Sequence, residues 1–232
     1  MSNYINVVAI VEGKTEQIFI EQILKPYLAE KMIFVSATQV TKPGQKGGDV
    51  RFARIRKDLE LHLKQRQDTY VTTLVDYYGT KEWPGLDKVA PNWRPDQIAQ
   101  CINNATKAEV DKSFGQLESN RRFIPFMAMH EFEALLFSDS AVLADDLNIQ
   151  VQEITKVLAQ CGEPEAINNS PQTAPSKRLD DWSRNGKFAK VTNGNAIALK
   201  IGIPKMREKC PLFDAWIKEF ENIVLRLSQP SR

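Results

Sequence analysis

The sequence VVAIVEGKTE occupies residues 7–16 and is apolar in its first half and mostly polar in its second. Its five apolar, mostly β-branched residues predict a buried strand, which ends abruptly in an acid, a glycine and the polar start of a helix. Open α/β sheets place ligand and metal sites at the carboxyl ends of their strands. Glu16 follows Glu12 by one helical turn, so both side chains can face one crevice. The pair could hold a divalent cation, or Glu16 could complement the helix dipole while Glu12 is a solvated strand end.

Two later strand ends repeat this pattern. A β-rich run at residues 70–75 closes on Asp76, and a run at 123–129 leads into His130, Glu131 and Glu133. Helices are expected between these strands, and Pro125 indicates an edge position or a bulge in the last one. Because the carboxyl ends of parallel strands meet at one edge of a sheet, the acidic residues should converge there.

The predicted fold class is therefore α/β, with a central, largely parallel sheet flanked by helices and followed by a C-terminal helical extension. Residues 1–140 form the α/β part, and residues 141–232 form the extension, packed on it in one globular unit. A chain of 232 residues can bury the substantial core that this fold requires.

Composition excludes several classes of protein. A hydrophobic fraction of 42% with 26% charged residues argues against disorder, and a net charge of +2 neither demands nor excludes nucleic acid. The three cysteines are far apart, which disfavours a zinc site or a disulfide framework. Without a signal-like N-terminus or an apolar run of bilayer length, we expect a cytoplasmic protein that does not enter a membrane.

Several further residues are candidates for the same chemistry. Glu131 and Glu133 can both extend the acidic site if the backbone there is extended, but diverge if it is helical. His130 is interpreted as structural, hydrogen-bonding a neighbouring loop, with a ligand or general-base role as the alternative. Lys177 and Arg178 could neutralise a phosphate in a transition state, or form an ordinary surface pair.

A nucleic-acid-binding surface is the hypothesis for a second basic group. It consists of two lysines in a glycine-rich loop and two arginines: Lys42, Lys46, Arg51 and Arg178. A mobile connection and a solvated helix face are the competing interpretations.

Three motifs together resemble the Toprim-like superfamily and, more narrowly, the DUF4276 family. They are EGKTE at residues 12–16, the strand end at Asp76, and HEFEALLFSD at residues 130–139. The narrower resemblance extends into APSKRL at residues 174–179.

The resemblance implies a Toprim-like sheet and a Mg²⁺ or Mn²⁺ site used in phosphodiester chemistry on DNA or RNA. By analogy with OLD-type nucleases it makes Glu12, Glu16 and Asp76 metal ligands or, in the case of Glu12, a general base. It also implies an AAA-type or ABC-type ATPase partner in an anti-phage defence system such as abortive-infection L. Self-association is left open.

The chain departs from the superfamily at its second acidic motif. The usual Asp-x-Asp reads Asp76-Tyr77-Tyr78, so a tyrosine replaces the second carboxylate. Thr80 or Glu82 could supply the missing oxygen. Otherwise the site binds one metal well and a second poorly.

The predicted function is a metal-dependent nuclease. Its catalytic residues are Glu12, Asp76, Glu133 and Lys177, and its metal ligands are Glu12, Glu16, Asp76, Glu131 and Glu133. The alternatives are a nucleic-acid-binding or regulatory subunit with a degenerate metal site, and an enzyme acting on another phosphoryl substrate such as a nucleotide.

Overall fold

Parallel strands form the centre of the molecule. The structure is a computed structural model that describes residues 3–40, 50–167, 170, 172–184 and 186–229. Its strands are β1 (Ile5–Val11), β2 (Ile33–Gln39), β3 (Thr69–Asp76), β4 (Phe123–Ile124) and β5 (Met127–Ala128). Their order is β2-β1-β3-β4, with β5 also paired to β3, and every pairing is parallel. The predicted α/β fold with a largely parallel sheet is confirmed.

The sequence explains why β1 is central. Ala9, Ile10 and Val11 are consecutive and none is exposed, which is typical of a strand covered on both faces. Val7 and Val11 pack into an apolar cluster on one face of the sheet, whereas Ile10 packs into a second cluster on the other. β1 therefore lies between two helical layers.

The expected last strand is interrupted at Pro125. Proline lacks the N–H that a ladder requires, and the chain resumes pairing only at Met127. Between the two short strands, the Phe126 N–H donates to Thr73 Oγ1 at 3.0 Å, and the same hydroxyl donates to the Phe126 carbonyl. A threonine side chain thus bridges the gap that the proline leaves.

The helices of the first half connect these strands. They are α1 (Lys14–Ile18), a π-helical stretch (Phe19–Leu24), α2 (Lys25–Ala29), α3 (Phe52–Gln65), α4 (Pro95–Phe114) and α5 (Ser119–Arg122), with 3-10 turns at Leu86–Lys88 and Gly115–Leu117. The π-helical stretch ends two residues before Pro26, whose ring would clash with a carbonyl of the preceding turn in a regular α-helix. α4 continues to Phe114, because Val110 and Phe114 add to the second apolar cluster.

The second half is helical, as expected. It contains 3-10 helices at Phe132–Ser138 and Pro164–Ala166, a π-helical turn at Lys190–Gly194, and the helices α6 (Ser140–Leu147), α7 (Val151–Cys161), α8 (Pro175–Trp182), α9 (Asn195–Ile201), α10 (Ile203–Lys209) and α11 (Pro211–Ser228). The α11 residues Phe213, Trp216 and Phe220 share one apolar cluster with the β1 residues Val7 and Val11. Among the residues described, no helix is long and apolar enough to cross a membrane.

Candidate functional site

The acidic strand ends meet at one edge of the sheet. Val11 is in register with Leu74, so Glu12 and Asp76 follow at nearly the same level of two adjacent strands. Asp76 in turn pairs with Ala128, two residues before His130. The register therefore places all three acidic segments side by side, as the sequence predicts.

Asp76 is the electrostatic centre of this edge. Its Oδ1 accepts the Phe132 N–H at 2.8 Å, which joins the end of β3 to the start of the 3-10 helix. Burial of the carboxyl raises the pKa of Asp76 well above its ordinary value. Four neighbouring carboxylates raise the pKa further, in decreasing order Glu133, Glu16, Glu12 and Glu131. Asp76 and these four glutamates are called the acidic cluster below.

Glu16 is held by the turn that precedes its helix. Its Oε2 accepts the Gly13 N–H at 2.9 Å, so it caps the start of α1. Burial, and next the charge of Glu12, raise the pKa of Glu16, whereas backbone hydrogen bonds and Lys190 lower it. Glu16 lies in the first turn of α1, where its charge also complements the helix dipole, and its role as a metal ligand stays a prediction.

Glu131 and Glu133 diverge. Glu131 is extended and precedes the 3-10 helix, and its carboxylate accepts both the N–H and the hydroxyl of Ser176, each at 2.8 Å. Glu133 is the second residue of the helix and pairs with Lys190, with Nζ 2.9 Å from Oε1. Both side chains are buried, but they have different partners.

Lys190 is the cation of this site, and the sequence analysis missed it. Burial disfavours its charge, but Glu133, Glu131 and Asp76 outweigh burial and raise the pKa of Lys190. Burial likewise raises the pKa of Glu133, and Lys190 lowers it. Lys190 lies in no motif and in no periodic segment, so no local signal marks it.

Two buried polar atoms at this edge of the sheet lack hydrogen-bond partners. The Oε2 atom of Glu133 is buried and has no hydrogen-bond partner, and the same is true of Nδ1 of His130. Burial lowers the pKa of His130 to about 4, so the ring is neutral near pH 7, and it packs against Tyr77 with centroids 5.6 Å apart. His130 contacts the loop after β3 through its main chain, since its carbonyl accepts the Tyr78 N–H at 2.8 Å.

The two proposed substitute ligands have other partners. The Thr80 hydroxyl donates to the main-chain carbonyl of Asp76 and so stabilises the turn after β3. Glu82 is exposed and pairs with Arg51 at 2.9 Å. Tyr78 is partly buried beside this turn.

The proposed basic residues are distributed more widely. Lys177 is exposed, with Nζ 3.8 Å from Asp180, and Arg178 Nε donates to the Thr173 carbonyl at 2.9 Å. Both lie on α8, beside the Ser176 that binds Glu131. Lys42 and Lys46 lie outside the described residues.

One comparison with known proteins gives a match. The model of the family described as "Domain of unknown function (DUF4276)" matches residues 11–221. The chain belongs to the DUF4276 family. No curated protein and no solved structure matches it. The matched range contains the whole acidic cluster and Lys190, so in this DUF4276 protein the candidate site and the helices that complete it fall within the family's domain.

The donor chemistry of this DUF4276 site suits a hard divalent cation. The oxygen donors of the acidic cluster are carboxylates, the ligands that Mg²⁺ prefers, and one buried oxygen, Glu133 Oε2, has no hydrogen-bond partner. Among the described residues, no three or more Asp, Glu, His or Cys side chains form a group that could hold a metal as they stand. Glu16, Asp76, Glu131 and Glu133 each accept from a protein donor, so a bound cation would compete with these donors.

Proposed function

We propose that this DUF4276 protein is a divalent-metal-dependent nuclease with a Toprim-like site, which hydrolyses phosphodiester bonds of DNA or RNA. The observation that carries the proposal is the burial of the Asp76 carboxyl beside four other carboxylates, one of which, Glu133, is paired with Lys190. Buried carboxylates repel one another and lose hydration, so such a cluster is retained at a cost in stability. A divalent cation would offset that cost, and catalytic sites are where such costs are concentrated.

Each residue of the acidic cluster has a separate role in the proposed reaction. Bound at Glu12, Glu16 and Asp76, a Mg²⁺ or Mn²⁺ ion would supply Lewis-acid polarisation of a phosphate and a more acidic water. Glu12 is partly exposed at the end of β1, where it would accept a proton from the attacking water. Ser176 fixes Glu131, and Phe132 fixes Asp76, so the carboxylates are oriented before a substrate arrives.

The proposed substrate is supported by exposed basic residues near the acidic cluster, and the proposed partner by the resemblance to the Toprim-like superfamily. Lys177 and Arg178 lie on α8 next to Ser176, where they could contact the phosphate backbone of a nucleic acid. Arg51 is exposed at the start of α3 and is the other described candidate. By resemblance, the protein acts in the cytoplasm as a defence effector with an AAA-type or ABC-type ATPase.

A second candidate function is supported by the pairing of Lys190 with Glu133. Because the protein supplies its own cation there, and Tyr78 replaces a second aspartate, the site could serve a nucleic-acid-binding or regulatory subunit with weak catalysis. In that case nucleic acid binds but is not cut.

The test is a cleavage assay of the full chain on single-stranded DNA, double-stranded DNA and RNA with Mg²⁺ or Mn²⁺. Asp76→Asn should lower the rate about 100-fold or more, because it removes a charged group at the reacting centre. Asp68→Asn is the matched control, since Asp68 precedes the opposite end of the same strand, where it is exposed and pairs with Arg66 at 2.7 Å.

The outcomes separate the candidate functions. Metal-dependent cleavage that Asp76→Asn abolishes and Asp68→Asn preserves supports the nuclease. Binding of nucleic acid without turnover supports the regulatory subunit, and hydrolysis of nucleotides without polymer cleavage supports the phosphoryl-transfer alternative.

A further inference from the structure

One corner of the sheet is open to solvent on the face that carries α3. This helix shares the second apolar cluster with β1 and β3, but the edge strand β2 is left uncovered beside it. On this face of β2, Phe34 is 44% exposed and Ser36 is exposed as well, whereas Ile33 and Val35 on the other face are buried. Parallel sheets normally bury both faces, so an open phenylalanine on a strand is unusual.

A cleft of about 370 Å³ lies between this open strand face and the end of α3. Its titratable lining residues are Lys25, His62 and Arg66, and within the described part of the chain no aspartate or glutamate lines it. The clefts between α3 and α4, between α4 and α11, and beside α6 each include at least two acids. The charge of this cleft therefore suits an anionic ligand.

Two exposed aromatic rings stand at the same place. Phe34 lines the cleft, and Tyr4, which is 41% exposed, packs edge-on against it with ring centroids 5.6 Å apart. Arg66, at the end of α3, interacts electrostatically with Tyr4. Tyr4, Phe34, Lys25 and Arg66 are called the aromatic corner below.

We propose that the aromatic corner binds single-stranded nucleic acid, with unpaired bases stacked on Phe34 and Tyr4 and phosphates at Lys25 and Arg66. Aromatic rings on an open sheet face stack on unpaired bases, and nearby cations hold the backbone. In a duplex the bases are stacked on one another and cannot use these rings. The inference rests on the proposed action on nucleic acid and names the class of substrate.

Both cations of the aromatic corner are in surface ion pairs that a phosphate can replace. Lys25 Nζ is 2.9 Å from Glu21, and Arg66 is 2.7 Å from Asp68. Exposed ion pairs contribute little to stability, so exchange of a carboxylate for a phosphate costs little. Glu21 keeps a second partner after such an exchange, because its Oε1 accepts the Ala37 N–H at 2.7 Å.

The aromatic corner and the acidic cluster lie at opposite ends of the same strands. The corner is at the amino ends of β1 and β2, and β1 runs from there to the acidic edge as Ile5–Val11. The two sites are therefore roughly 20 Å apart along the sheet. A strand held at the corner has to extend along the sheet to reach the acidic cluster, so the corner contributes affinity and orientation and takes no part in the chemistry.

The test is a fluorescence-anisotropy titration of the full chain with a labelled deoxythymidine oligomer of about 16 nucleotides, in EDTA so that no cleavage occurs. Phe34→Ala should weaken binding about 10-fold, and Phe34→Trp should bind like the unmodified protein. Arg66→Gln should reduce the slope of log K against log salt concentration by roughly 0.7, as expected for one lost phosphate contact. Leu199→Ala is the matched control, because Leu199 is 64% exposed on α9, and its binding should not change.

The other outcomes separate this inference from the proposed nuclease. Tight binding that Phe34→Ala leaves unchanged overturns the inference and leaves the nuclease intact, whereas an unmodified protein that binds no nucleic acid overturns both. An equal loss in Phe34→Ala on a duplex of the same length contradicts stacking on unpaired bases. Thymidine monophosphate that binds as tightly as the oligomer would show a mononucleotide site and overturn the inference.

Discussion

The buried glutamates Glu133 and Glu165 lie in two different settings. Glu133 belongs to the candidate functional site, and Glu165 has a structural role. Each is 2% exposed. At Glu165 both oxygens are satisfied, since Oε2 accepts the Leu212 N–H at 2.8 Å and Oε1 accepts the Phe213 N–H at 2.9 Å. These donors belong to the first turn of α11, where a negative charge also complements the helix dipole. At Glu133 one oxygen binds Lys190 and the other has no partner.

The difference shows that burial of a carboxylate does not by itself identify a site. Burial raises the pKa of both groups, so the direction of the shift is the same in the two places. The two glutamates differ in whether both carboxylate oxygens have hydrogen-bond partners. Glu165 accepts hydrogen bonds at a helix end through both oxygens, whereas Glu133 has one oxygen without a hydrogen-bond partner and lies near other carboxylates. The following predictions test that distinction.

The largest expected effect on stability is that of Glu165→Ala. It leaves two main-chain N–H groups at the start of α11 without their acceptor, so we expect a loss of about 2–4 kcal/mol in the free energy of unfolding. Denaturant unfolding measures this loss. Cleavage per folded molecule should not change, and a specific loss of cleavage would contradict the structural role of Glu165.

The pH dependence of stability is the next effect. Burial, and to a smaller degree the charge of Glu163, raise the pKa of Glu165 to about 7, while the two backbone hydrogen bonds lower it. Because the folded pKa lies above the unfolded one, the folded protein retains a proton that the unfolded chain has lost. The contribution of this group to stability is therefore fully present below about pH 4.5 and is lost as the pH rises through about 7.

Glu165→Gln isolates this effect. Between pH 5 and 7 the stability of the unmodified protein should fall relative to the variant by up to about 1.4 kcal/mol per pH unit. Urea unfolding midpoints across this range measure the difference. A difference that does not vary with pH would show that Glu165 does not titrate in that interval.

Ser176→Ala has the smallest expected effect. Glu131 loses its bond from the hydroxyl and keeps the one from the Ser176 N–H, so the free energy of unfolding should fall by about 1 kcal/mol. If Glu131 must be oriented for catalysis, cleavage should fall about 10-fold. An unchanged rate would place Glu131 outside the reacting part of the acidic cluster. Ser228→Ala on the exposed end of α11 is a control, because its hydroxyl also bonds within the protein.

The strands and the convergence of their acidic ends could be predicted because both depend on local patterns. A β-branched run followed by Glu12 or Asp76 predicts both the strand and the residue at which it ends. Because the strands are parallel, these ends lie at the same edge of the sheet. The interruption at Pro125 could be anticipated for the same reason, because the N–H that proline lacks is lost from strand pairing at that same residue.

The partners of the acidic residues could not be predicted. Lys190 is far from Glu133 along the chain, and Ser176 is 45 residues from Glu131, so these contacts depend on how the C-terminal helices pack. The divergence of Glu131 and Glu133 was left open because it depends on where the extended chain becomes a 3-10 helix. That boundary is stabilised by the Phe132 N–H bond to Asp76, which is itself a tertiary contact.

The proposed completion of the acidic cluster by a divalent cation can be measured through the linkage between metal binding and folding. The free energy of unfolding should be measured for the unmodified protein and for Asp76→Asn as Mg²⁺ is raised at constant ionic strength. We predict that stability rises with Mg²⁺ in the unmodified protein, by about 2.7 kcal/mol at a concentration 100 times the dissociation constant, and stays constant in the variant. Stability that is independent of Mg²⁺ in both proteins, or an equal rise in both, would contradict the account.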